Sequence, residues 1–137
     1  MSTEIYYFSG TGNSLVVARD IAEKINGEII PIISMLDQEI INTNADVIGF
    51  VFPIHDYKPP PLIEQFIKKI ANLNSKYIFA VCTYGFIPLG AMKIIEQNIK
   101  ACGGELSLGY VVKMPHNGVG KSSSNEEQNE IFKRWKI

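Results

Sequence analysis

At 137 residues the chain is the size of one domain, expected to span 1–137 and to bury about two-thirds of its unfolded surface in a single core. Apolar residues make up 46% and charged residues 20%, and the formal net charge of −1 argues against a general nucleic-acid surface or a polybasic membrane surface. Cys82 and Cys102 form no CxxC, so neither a zinc nor an iron–sulfur site is written here, and both are expected to be buried free thiols.

The N-terminal MSTEIYYFSG lacks a basic region followed by a long apolar stretch, so no secretory signal is expected. No apolar run approaches the length of a membrane span, and a cytoplasmic protein is the expectation. IYYF (5–8) predicts a short buried strand. A helix follows from about Ser14, with Ala18, Ile21, Ala22 and Ile25 on one stripe, and Asn26-Gly27 ends it. EIIPII (28–33) reads as strand two, and its Pro31 suits a sheet edge. DVIGFVF (46–52) and KYIFAVC (76–82) are apolar on both faces, as central parallel strands are. PLIEQFIKKI (61–70) predicts a helix burying Ile63, Phe66, Ile67 and Ile70. AMKIIEQNIK (91–100) predicts another, stopping before Gly103-Gly104. LSLGYVV (106–112) is the last strand. Ser124 and Glu127 form a capping-box pattern for a final helix carrying Ile131, Phe132 and Trp135. That helix is short where it meets Ile137, and a truncated sequence is one reading of it. Strands alternating with helices imply an α/β architecture, a parallel sheet covered on both faces.

The stretch YFSGTGNS (7–14) falls where strand one ends and helix one begins, the carboxyl edge at which such sheets bind ligands. Gly10 and Gly12 allow a sharp turn and a close backbone approach. The helix-start amides at Asn13 and Ser14 and the hydroxyls of Ser9, Thr11 and Ser14 are uncharged donors aimed at one place. Hydrogen bonds to a charged acceptor contribute roughly 1.5–3 kcal/mol each, so several hold a phosphate dianion without a lysine. A terminal phosphate monoester is the ligand this chemistry suits. The dinucleotide pattern GxGxxG fails because Leu15 stands where its third glycine belongs. PHNGVGKS (115–122) resembles the tail of a Walker A loop, but Pro115 replaces its first glycine and a polar loop follows the lysine. As a purely structural alternative, YFSGTGNS is a tight strand-to-helix turn.

FSGTGNS resembles the FMN-phosphate loop of the flavodoxin family, S/T-x-T-G-N-S/T, in the family's position after strand one. In element order the likeness extends over nearly the whole chain. It is nearest to flavodoxin-type halves fused to small iron–sulfur ferredoxin modules in some anaerobes. The resemblance implies a flavodoxin-like three-layer α/β/α sandwich with a five-stranded parallel sheet in the order 2-1-3-4-5, the arrangement for which flavodoxin is a standard example. It implies FMN as cofactor, held by Ser9, Gly10, Thr11, Gly12, Asn13 and Ser14. The loop after strand three then flanks the flavin with Pro53, Ile54, His55 and Tyr57, the last as a stacking ring. The loop after strand four brings Thr83, Tyr84, Gly85 and Phe86 along the pyrimidine end, and His116 and Asn117 close the remaining side. No catalytic or metal-binding residue is implied.

Two departures from the family pattern stand out. The loop PIHDYKPPP (53–61) has no glycine at the peptide that flips on reduction in many flavodoxins. The chain is also nearly neutral where flavodoxins are often acidic, which weakens steering toward a basic partner. The expected function is electron transfer between redox proteins, a ferredoxin-type protein or a reductase among them, with no nucleic-acid or membrane partner. Two alternatives remain: an NAD(P)H-dependent quinone or flavin reductase, and a flavin-less interaction domain of the same fold.

Overall fold

A computed structural model describes residues 2–10, 12–54, 58–84 and 90–113. Its element order is β1 (Thr3–Tyr7), α1 (Asn13–Ile25), β2 (Glu28–Pro31), β3 (Val47–Pro53), α2 (Pro61–Lys69), β4 (Tyr77–Tyr84), α3 (Ala91–Ala101) and β5 (Leu106–Lys113). The strands form one parallel sheet in the order β2-β1-β3-β4-β5. The expected strand order and layering are therefore found. The final helix expected after Ser124 lies outside the described residues.

Alternation along each strand divides the core in two. On one face Tyr6, Ile48, Phe50 and Phe52 meet Ile63, Phe66 and Ile67 of α2 and Ile95 and Ile99 of α3. The Phe66 ring sits 5.0 Å from Tyr6 and 6.3 Å from Phe50, the latter edge-on. Each fully buried side chain of this size contributes about 1.5–3 kcal/mol. On the other face Ile5, Val47, Val51, Phe79 and Val81 meet Val17, Ala18 and Ile21 of α1. Here Gly49 is required by packing, because a Cβ at that position would lie 2.2 Å from the ring of Phe79, its register partner on β4.

Several boundaries differ from the sequence reading. Strand two stops at Pro31, and Ile32–Met35 form a 3₁₀ turn. Proline brings no N–H to continue a ladder, and Ser34 Oγ takes the Pro31 carbonyl at 2.7 Å. Ile32 thereby enters the core while Ile33 stands 63% exposed. Ile70 is buried but no longer helical: the chain extends there and pairs with Ile41, with Ile41 N donating to Lys69 O at 2.8 Å. Asn26 adopts the left-handed conformation that ends α1. Cys82 is buried and free as expected, whereas Cys102 caps α3 and is only half-buried. Burial pushes the Cys82 thiol well above its usual range.

Candidate functional site at the carboxyl edge

Gly12 is the hinge between β1 and α1. Its φ of 96° and ψ of −17° lie in the left-handed region, where a Cβ is penalised. Its carbonyl accepts the first helical bond, from Val16 N at 3.1 Å. Its own N–H donates to Ser9 Oγ at 2.9 Å, so this amide and one lone pair of Ser9 are engaged inside the loop. The Ser9 proton is left available to donate. Gly10 is exposed, is not left-handed, and has open space where a Cβ would be; only Gly12 needs glycine for its backbone.

Past Gly12, helix geometry leaves the amides of Asn13, Ser14 and Leu15 without an acceptor one turn earlier. No side chain caps them, and the first turn holds no Asp or Glu. The helix dipole adds about 0.3–1 kcal/mol for an anion placed there. This is a concentration of donors with no carboxylate in the first turn of α1.

Ser14 is buried at the start of α1. It is 1% exposed, and its Oγ lies 2.9 Å from Oγ1 of Thr83, itself 2% exposed near the end of β4. Thr83, which the resemblance places along the pyrimidine end of a flavin, is thereby linked to the start of α1. Pro53 ends β3 directly opposite Thr83 in the ladder. Ile54 N donates to Thr83 O at 2.9 Å, while the Ile54 side chain joins the core beneath α2. Tyr84 closes β4, half-buried and opposite Lys113. The structure therefore gathers Ser9, Gly10, Gly12, Asn13 and Ser14 with Pro53, Ile54, Thr83 and Tyr84 at the carboxyl ends of β1, β3 and β4. Thr11, His55, Tyr57, Gly85, Phe86, His116 and Asn117 lie outside the described residues.

A second helix start at this edge shows what backbone shape alone provides. Gly90 enters α3 with φ 72° and ψ −7°, nearly the conformation of Gly12. It leads into buried Ala91 and into Met92, which packs against Gly109, with no hydroxyl to offer. Sequence reasoning did not single out Gly90. Nor did it find the Ser14–Thr83 pair, whose members are 69 residues apart.

A five-stranded parallel α/β sheet in the order β2-β1-β3-β4-β5, with helices on both faces, defines the doubly wound class of proteins. Within that class this chain belongs to the flavodoxin-domain family, whose sequence model matches residues 4–101. No curated protein sequence matches it. Among solved structures it is similar to the two-electron reduced flavodoxin of Megasphaera elsdenii, with a TM-score of 0.64 and 22% identity over 85% of this chain and 90% of that one. It is similar also to a flavodoxin from Streptococcus pneumoniae, at TM-score 0.65 and 19% identity over 98% and 94% of the two chains. A flavoprotein from Lactobacillus acidophilus solved in complex with FMN aligns at TM-score 0.65 and 13% identity, over 80% of this chain and 92% of its own. These likenesses establish the fold. No helix among the described residues is long and apolar enough to cross a membrane.

Proposed function

We propose that the chain binds FMN without a covalent bond at the carboxyl edge and carries electrons between other redox proteins. The observation that supports this most is the start of α1, a left-handed glycine entry followed by amides and hydroxyls with no carboxylate among them. The chemistry of that donor set fits a phosphate dianion. Amides of Asn13, Ser14 and Leu15 point along the helix axis toward such a group, and the Ser9 and Ser14 hydroxyls add donors. Thr11 belongs to the same set by its place in the sequence.

When bound, FMN supplies reversible electron transfer. The chain's own work is to hold the phosphate at Ser9–Ser14 and orient the ring along the loops after β3 and β4. In this reading Pro53, Ile54, His55 and Tyr57 flank one side of the ring, and Tyr84, Gly85 and Phe86 the other. A flat apolar ring needs such apolar and aromatic walls to exclude water. Electrons would come from and go to separate proteins, of ferredoxin or reductase type.

Titrating the purified protein with FMN tests the reading. A bound-flavin absorbance band in the region of roughly 450 nm is the expected result. A protein that stays colourless in excess FMN sinks the proposal. NAD(P)H alone is expected to leave the loaded protein oxidised. Sustained turnover with a quinone would instead identify a reductase.

A further inference from the structure

The Ser14–Thr83 pair contains two hydroxyl protons and one hydrogen bond. Either oxygen can be the donor across the 2.9 Å contact, so one O–H is always left over. Among the described residues neither hydroxyl has a second partner. Both side chains are buried, 1% and 2% exposed, so water does not freely take the surplus proton. A buried donor without an acceptor is destabilising. A serine in the first turn of a helix ordinarily bonds to nearby backbone. Here it is turned across β3 to a threonine on β4.

We propose that Thr83 is a positioning residue for the anion site: it donates to Ser14 Oγ, and Ser14 donates the surplus proton to a phosphate oxygen at the start of α1. This deepens the FMN reading and rests on it. The roles of the two hydroxyls follow from the fold. Ser14 is the second residue of α1, beside the free amides, whereas Thr83 reaches that place only through Ser14. The Thr83 carbonyl, meanwhile, accepts from Ile54 N at 2.9 Å, which ties the same residue to the chain leaving β3. Occupying the phosphate position therefore settles the direction of one bond that also ties α1 to the β3–β4 end of the sheet.

The experiment is a double-mutant cycle read on two ligands, FMN and riboflavin, which differ by the phosphate. Thr83→Val keeps the shape and removes the hydroxyl. It is expected to weaken FMN about fivefold and riboflavin hardly at all, and Thr83→Ser is expected to restore FMN binding. Ser14→Ala is expected to weaken FMN about tenfold, and the double variant should be no worse than Ser14→Ala alone. Additive losses would mean that Thr83 acts independently of Ser14 and would overturn the assignment. Equal losses for FMN and riboflavin, or no loss in Thr83→Val, would overturn it too. Those outcomes leave FMN binding by the unaltered protein in place. Failure of the unaltered protein to bind FMN removes both this inference and the reading beneath it. Riboflavin affinity and the melting temperature of each variant separate a misfolded protein from a phosphate-specific loss.

Discussion

The two edges of the sheet are both polar, but they are balanced differently. At the amino edge several donors meet acceptors within the protein. Glu4 accepts from Tyr6 OH at 2.8 Å and from Thr43 Oγ1. Lys76 Nζ donates to the carbonyls of Thr43, at 3.0 Å, and Ala45. Ser2 N reaches Asp46 Oδ2 at 3.2 Å, and the amides of Asp46 and Val47 return bonds to Ser2 O. Among the described residues Asn72 Oδ1 is a buried acceptor without a partner. The carboxyl edge has the opposite character: helix amides and a hydroxyl pair in surplus, and no acid in the first turn of α1. A closed polar network stabilises a fold. An open set of donors is what a ligand completes.

If that contrast is correct, substitutions at the two edges separate into stability effects and ligand effects. The largest change is expected from Glu4→Ala, which strands the Tyr6 and Thr43 hydroxyls. It should cost about 2–4 kcal/mol of unfolding free energy, measured by urea denaturation, while the protein that remains folded keeps its preference for FMN over riboflavin. A change in that preference would show that the amino edge shapes the ligand site. Next is Gly12→Ala. No atom lies within 4 Å of the new Cβ, so any penalty comes from the left-handed backbone, about 1–3 kcal/mol. It should appear in both the melting temperature and FMN affinity; wild-type behaviour in both would show the loop relaxing without consequence.

A smaller and more selective effect is expected of Asn13→Ala. FMN affinity should fall about tenfold with riboflavin affinity little changed, and stability should stay within about 0.5 kcal/mol. Equal losses for the two flavins would show that Asn13 does not read the phosphate.

A further effect is alkaline and concerns the fold alone. Burial, and then the hydrogen bond and charge of Glu4, hold the Tyr6 phenol above its ordinary range, and burial does the same to Cys82. Groups with raised folded pKa values stabilise fully below their unfolded values of 10.0 and 9.0 and lose that contribution as pH rises above them. Stability should therefore decline from about pH 9 upward, by at most about 1.4 kcal/mol per pH unit for each group. Cys82→Ala should move the onset toward pH 10, and an unchanged profile would contradict the assignment.

Much of the molecule was legible before any coordinates. Residues 46–52 and 76–82 declared themselves central strands through unbroken apolar runs. The turn at 9–14 was visible because glycine, hydroxyl and amide side chains act on their immediate neighbours. Element ends were less legible. Pro31 suited an edge strand, yet the sequence did not say that Ser34 would cap its carbonyl and end the strand there. Ile70 fitted a helical stripe, but pairing with Ile41 drew it into extended backbone.

The amino-acid sequence by itself determined the alternation of strands and helices, the family, and a glycine- and hydroxyl-rich turn at the start of α1. Each of these depends on periodicity or backbone freedom within a few residues. Tertiary structure alone decided that Ser14 meets Thr83, that Tyr6 and Thr43 share Glu4, and that Phe79 lies over Gly49. Those contacts are set by strand register and by the seating of α1 on the sheet, and no local pattern encodes distances between residues so far apart in the chain.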